Sequence, residues 1–253
     1  MFVMSKTIHM KLEKVYIGCS SYLTPSWQPL FYPQDLPKKV WFEYYCRCFN
    51  TYEFNGSFYR MPTVKNLQTW FDRTPNDFKF SIKIPKTITH LKKLQDCEKE
   101  VKDFYNVVLE GLKFKLACIL WQFPPSFNFT PEKLSMLIEL IDSNFKNVIE
   151  FRHISWFQKD IMHELELHNC TFCNTDYPNL PNTMLKNTSI GYVRLHGLPK
   201  LFYSEYSDSE IEKLYVEIKD KEFSEAYVYF NNTASTAGIQ NALQLLDKFK
   251  PQS

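Results

Sequence analysis

Residues 147–153 read NVIEFRH, and residues 191–197 read GYVRLHG. Each starts as a β-rich apolar run and ends in charged side chains two positions apart: Glu150 and Arg152 in the first, Arg194 and His196 in the second. Side chains two apart stand on one face of a strand, so each run carries its charges to one side of one end. Runs of similar length and composition recur at 15–20, 51–58, 78–84, 117–123, 171–176 and 226–231. All are rich in Val, Ile, Phe or Tyr and have the length of strands.

Between these runs the apolar spacing changes to three and four. Val101, Phe104, Tyr105, Val108, Leu109 and Leu112 form one helical stripe, and Leu134, Leu137, Ile138 and Ile141 form another. Thr130 is placed to cap the second, with Pro131 in its first position. Ile211, Leu214, Tyr215 and Ile218 follow the cap-forming Ser207 and Asp208. Val40, Trp41, Tyr44, Tyr45 and Cys48 give a helix after Pro37, and Val64, Leu67, Trp70 and Phe71 a shorter one. Segments 156–167 and 238–249 fill two more positions. Strand–helix alternation of this count predicts an α/β fold, a single (β/α)8 TIM-like barrel with a closed parallel sheet. It spans 15–253 as one domain behind an N-terminal tail at 1–14. Segment 177–189 holds Pro178 and Pro181 and no helical stripe, so the sixth helix is expected to be absent or irregular. The competing open doubly wound sheet would carry a Gly-rich turn after the first strand, and none follows.

The 253 residues hold 30 Lys and Arg against 28 Asp and Glu, a net charge of +2. A hydrophobic share of 44% with 23% charged residues excludes a disordered chain. The even balance does not favour nucleic acid as the main partner, although Lys86, Lys92 and Lys93 form a local basic group. No apolar run approaches the ~18 residues of a membrane span. Segment 1–14 lacks the apolar centre of an export signal. A cytoplasmic protein without a membrane partner is expected, with its seven cysteines reduced. Cys170 and Cys173 have C-x-x-C spacing, but no second pair completes a zinc site, and they read as small buried hydrophobes. Nothing in the sequence names a cofactor or sets the oligomeric state.

Catalytic groups of a barrel project from the C-terminal strand ends. The polar residues here gather at those ends. Glu53, Asn55 and Ser57 share a face of the second run, Lys83 closes the third, and Gln122 closes the fourth before Pro124 and Pro125. Glu150 and Arg152 share a face of the fifth, with His153 at its exit. Asp176 ends the sixth, Tyr192, Arg194 and His196 line the seventh, and Tyr229 and Asn231 the eighth. Facing outward they would lie under the helices, which is costly for charged groups, so the inward assignment converges them on one mouth. A buried ion-pair network that only fixes strand geometry is the competing reading.

Several ordered segments carry a resemblance: IGCSSYLTPSW (17–27), FYPQDLP (31–37), EFNGSFYRMP (53–62), KIPKTITH (83–90), WQFPPSF (121–127), EFRHISWF (150–157), YVRLHG (192–197) and YVYFNNTASTAGIQNA (227–242). Together they resemble the YecE-like family, barrel proteins grouped as domain of unknown function 72. The resemblance covers nearly the whole chain. It implies a TIM-like barrel and no established activity. The family's usual polar set falls on Asn55, Tyr59, Lys83, His90, Gln122, Glu150, Arg152, His153, Asp176, Arg194, His196, Asn231 and Asn232. Ser21 and Tyr22 stand where a Gly–Trp pair is common. Thr233 stands where an acidic residue is common, which weakens a metal or acid–base role at that loop.

Three classes of function fit this mouth. The first is an enzyme acting on a small anionic ligand bearing phosphate or carboxylate. Lys83, Arg152 and Arg194 supply cations, Glu150 and Asp176 an acid and a base, and His153 or His196 a proton carrier. Asn55, Tyr59, His90, Gln122, Asn231 and Asn232 then contact the substrate. The second is a metal-dependent nuclease or phosphohydrolase, for which His90, His153, His196, Glu150 and Asp176 are ligand types. No metal set is assigned, because no H-x-H or H-E-x-x-H pattern is present and two arginines crowd the mouth. The third is a non-catalytic binding module whose upper-loop aromatics, including Tyr59, Phe58, Tyr203 and Tyr206, stack on a sugar or base.

Overall fold

The computed structural model describes residues 14–250. Of the expected tail at 1–14, only Lys14 is described, and it opens the first strand; the rest lies outside the described residues. The elements are β1 (Lys14–Cys19), α1 (Trp41–Cys48), β2 (Thr51–Phe54), α2 (Val64–Asp72), β3 (Lys79–Lys83) and α3 (Glu98–Leu112). They continue with β4 (Leu116–Gln122), α4 (Pro131–Leu140), β5 (Asn147–Glu150), α5 (Lys159–Leu167), β6 (Cys170–Phe172) and β7 (Asn174–Thr175). The last are β8 (Ile190–Leu195), α6 (Asp208–Asp220), β9 (Glu225–Phe230) and α7 (Ala237–Phe249). Helix starts obey local chemistry. Thr130 caps α4 through the Lys133 N–H with Pro131 in the first turn, and Ser207 and Glu210 form a reciprocal capping box on α6. Segment 177–189 holds no helix.

Every strand pairing is parallel. The strands form two sheets, ordered β1-β9-β8-β7 and β2-β3-β4-β5-β6. Run 170–175 belongs to both. Cys173 N–H still donates to Ile149 O on β5 at 2.9 Å, whereas Asn174 and Thr175 pair with Val193 and Arg194 on β8. At the other junction β1 and β2 lie side by side with side chains bridging them. Asn50 donates from Nδ2 to Val15 O at 3.0 Å and accepts the Ile17 N–H on Oδ1 at 3.2 Å. Tyr45 Oη accepts the Cys19 N–H at 2.7 Å and donates to Thr51 O at 3.0 Å. The approach is so close that a Cβ on Gly18 would come within 2.3 Å of Thr51 O, so only glycine fits there.

Alternation along the strands divides the interior. A small cluster unites Tyr16, Cys118, Leu120, Val148, Cys173, Tyr192, Tyr227 and Tyr229, drawn from both sheets. The larger cluster packs the opposite strand faces, such as Ile17, Phe80, Ile82, Ile119, Val228 and Phe230, against the helices. The second and fifth strands are shorter than expected. β2 ends at Phe54, and Gly56–Phe58 form a 3-10 turn whose Ser57 hydroxyl donates to Lys83 O at 2.5 Å. Asn55 and Ser57 are therefore loop residues, as is Arg152 beyond β5.

Asn50→Ala leaves the Ile17 N–H and Val15 carbonyl unpaired at a partly buried junction, which should cost about 1–3 kcal/mol per group. The urea midpoint should fall, and an unchanged midpoint would show that the junction is held without it. All seven cysteines are unpaired among the described residues, so titration of the denatured, unreduced chain should find seven thiols.

Candidate functional site

At the C-terminal ends of the strands, buried charges meet. Arg194 on β8 is 2% exposed, while Glu53 on β2 and Glu150 on β5 are wholly buried. The Arg194 guanidinium forks onto Glu53, with Nε to Oε2 and Nη2 to Oε1 both at 2.8 Å. Its Nη1 donates to Glu150 Oε2, and Nη2 also reaches Asn231 Oδ1 at 2.9 Å. Tyr192 Oη adds a bond to Glu53 Oε2 at 2.9 Å. The other oxygen of Glu150 accepts from Arg152 Nε at 2.6 Å. Burial pushes both carboxyls up, but their partners together reverse it and hold each below its ordinary value: Arg194 with Asn55 and Tyr192 at Glu53, and Arg194 with Arg152 at Glu150. Both therefore stay ionised. Burial pulls Arg194 down, and the two carboxylates more than reverse that.

Arg152 also donates from Nη2 to His196 Nε2 at 3.0 Å and lies over the Tyr177 ring, 4.4 Å from its centre. A guanidinium only donates, so His196 Nε2 is an acceptor and the ring carries its proton on Nδ1. That nitrogen faces Thr175 Oγ1 at 3.2 Å and Asp176 Oδ1 at 3.4 Å. Burial lowers the His196 pKa, against the pull of Asp176, and keeps the ring neutral.

These groups border a cleft of about 640 Å³. Asn55, Tyr59, Lys83, His90, Gln122, Arg152, Arg194, His196 and Asn231 all line it, so the structure brings together nine of the thirteen residues picked out in the sequence. The other four lie off its wall. Glu150 lies behind Arg194 and Arg152. Asp176 accepts the backbone N–H groups of His196 and Gly197 and the Tyr206 hydroxyl, fastening the loop after β8. His153 caps the turn Ile154–Trp156, its Nδ1 accepting the Ser155 N–H at 3.2 Å. Asn232 is buried, with Nδ2 donating to Ser204 O at 2.9 Å and facing Asn241 Oδ1 at 3.3 Å. Its side chain secures the loop below α7. Phe58, Phe202 and Tyr203 line the cleft as well, with Tyr59 74% exposed at the rim. Among the described residues, no three His, Cys, Asp or Glu side chains are grouped to hold a metal ion.

Lys83, at the end of β3, differs from the other charges. Its Nζ sits 3.9 Å from the centre of the Phe58 ring and makes no hydrogen bond among the described residues. Burial and Arg194 bring it down to about 7, with Glu150 pulling the other way. His90, half-buried with its ring edge-on to Phe58, is lowered to about 4 by burial and by Lys83. It is neutral at pH 7. Asn55 Nδ2 donates to Glu53 Oε1 at 3.0 Å. A carboxylate cannot donate, so this bond fixes the amide and leaves Oδ1, buried and unpaired among the described residues, as a true acceptor.

Removing Arg194 would leave the buried Glu53 without a cation and the buried Glu150 with Arg152 alone. Arg194→Ala should therefore lower stability by about 3–5 kcal/mol in urea unfolding. Lys83 behaves oppositely. Its folded pKa lies below its unfolded one, so between about 7 and 10.5 the unfolded chain binds the extra proton, and stability rises with pH. Lys83→Met should gain most over the parent at and below pH 7, with the gain shrinking toward 10.5. A constant difference across that window would show that Lys83 is not depressed.

The family described as protein of unknown function DUF72 matches residues 16–253. The UPF0759 protein YecE of Escherichia coli (strain K12) is 30% identical over 148 residues, 57% of this chain and 51% of that protein, so the match spans about half that relative's length. The UPF0759 protein YunF of Bacillus subtilis (strain 168) is 23% identical over 267 residues, covering 92% of this chain and 94% of that protein. A crystal structure of a DUF72 family protein from Thermotoga maritima aligns with a TM-score of 0.85 at 27% identity, covering 94% of this chain and 100% of that one. Among the described residues no helix is long and apolar enough to cross a membrane. With the family match running from the first strand through the last helix, the chain belongs to DUF72, a family of unknown function.

Proposed function

We propose that the two sheets close into one (β/α)8 barrel, and that its mouth is the site of an enzyme acting on a small molecule bearing phosphate or carboxylate. Closure is supported by run 170–175, which pairs with both sheets, by the Asn50 and Tyr45 bridges between β1 and β2, and by the inner cluster drawn from both sheets. Seven free thiols agree with a cytoplasmic setting.

One observation carries the ligand class. Arg194 and Arg152 are matched by Glu53 and Glu150, while Lys83 has no counter-ion within bonding distance. The third carboxylate nearby, Asp176, spends its oxygens on the N–H groups of His196 and Gly197 and on the Tyr206 hydroxyl, so a protonated Lys83 has no carboxylate to meet it and an anion answers it. Arg152 adds an Nη1 that makes no hydrogen bond among the described residues, so a guanidinium edge is free to face an anionic oxygen. Asn55, Gln122 and Asn231 supply neutral polar contacts, and Tyr59, Phe202 and Tyr203 an aromatic rim. Glu150 and Asp176, held by other groups, act in this reading by positioning Arg152 and the His196 loop.

Sulfate is the first probe, because its charge is constant near neutrality. It should raise the melting temperature below pH 7 and progressively less above it, as Lys83 loses its proton. Arg152→Gln should abolish the shift. A transition that neither sulfate nor glycerol phosphate moves at any pH overturns the reading.

A further inference from the structure

We propose that Lys83 is a nucleophile that forms an imine with a small aldehyde or ketone, a substrate class that deepens the anion-site reading and rests on it. The placement comes first. Lys83 Nζ lies in the cleft wall on the face of Phe58, with no donor bonded to its lone pair and no acceptor bonded to its protons among the described residues. Burial, and after it the field of Arg194, favours the uncharged amine, the form that attacks carbon. The same field stabilises an oxyanion developing on an attacked carbonyl.

Two neighbours have unused capacity of the required kind. Asn55 Oδ1 is a buried acceptor without a donor, so it takes a hydroxyl, either the carbinolamine's or one next to the carbonyl. His90 packs on the same Phe58 ring as Lys83, with centroids 4.9 Å apart. Its Nδ1 is engaged with Thr89 Oγ1 at 2.9 Å, which leaves Nε2 to pass protons with solvent.

The step balances without redox. Nζ bonds to the carbonyl carbon, the C=O π pair moves to oxygen, and one proton shifts from nitrogen to that oxygen. The carbinolamine then takes up one proton from solvent through His90, its C–O bond breaks, and water leaves. The nitrogen lone pair becomes the second C–N bond, giving a protonated imine. The iminium carries the charge that the amine lacked, and the substrate's own anionic group near Arg152 offsets it.

Pyridoxal phosphate, an aldehyde with a phosphate, is a suitable probe for the full chain. After borohydride reduction at limiting probe, peptide mass spectrometry should find Lys83 labelled about tenfold or more over any other lysine. At neutral pH its uncharged fraction exceeds a surface lysine's by about three orders of magnitude, partly offset by weaker nucleophilicity. Sulfate should compete with the labelling. Label spread evenly over surface lysines, with Lys83 no higher, overturns the proposal in the parent protein, whatever the folding of a Lys83→Arg control. Pyridoxal without phosphate separates the two ideas. If sulfate raises the melting temperature yet neither aldehyde reaches Lys83, the imine fails and the anion site stands. If both aldehydes label Lys83 equally and sulfate has no effect, the anion site fails and the nucleophile stands.

Discussion

A guanidinium buried to 2% exposure and gripped by two buried carboxylates is the constraint on which the rest of this structure depends. Isolated, any of the three would be too costly to bury. Joined, they fix position, because Arg194 donates from Nε, Nη1 and Nη2 in a rigid plane. Those bonds tie β8 of one sheet to β2 and β5 of the other, and Asn231 joins the residue after β9. A one-residue slip of any of these strands would turn its polar group to the helix side, so the network also sets register.

The same network explains why Lys83 is different. Both carboxylates direct their oxygens to Arg194 and Arg152, so neither is left to pair with a third cation. Lys83 therefore rests on the ring of Phe58, which attracts a cation but does not hold its protons. Its depression toward 7 comes first from burial and then from Arg194, which the engaged carboxylates do not offset. A group so placed lowers stability wherever it is protonated, and sites under such strain are where reactivity is found.

Much of this arrangement was legible in two-residue spacing. Glu53, Lys83, Gln122, Glu150 and Arg194 do converge, because a strand's period dictates which way each side chain points. The period loses its authority where the strand ends. His153 and Asp176 lie past the last paired residue, so local turns decide their direction: one caps a turn and the other gathers backbone N–H groups. Asn232 falls one position beyond Asn231 and so on the other side, against Asn241. Arg152 also lies beyond its strand, and its bonds back to Glu150 and across to His196 return it to the cleft. Phe58 was visible as a loop aromatic, but no sequence period announces that it underlies Lys83. Asn50 gave no signal either, since a side chain that replaces a backbone ladder leaves no pattern. The missing helix at 177–189 was legible from its prolines.

Asn50 and Arg194 turn out to solve one problem. β2 pairs by backbone with β3 on one side, while toward β1 its sheet ends. An edge with unpaired backbone groups is a liability that must be covered. Here it is covered by side chains at successive heights. Asn50 bonds the backbone of β1 just before β2 begins. Thr51 Oγ1 meets Tyr229 Oη of β9 at 2.6 Å, and Tyr45 links Thr51 O to the Cys19 N–H. Glu53 takes the fork of Arg194 and the hydroxyl of Tyr192 from β8. Two positions along this four-residue strand, with Asn50 just before it, thus reach three strands of the other sheet. The ion pair at the mouth is the uppermost of these ties, so the charges that shape the cleft also hold its two halves together.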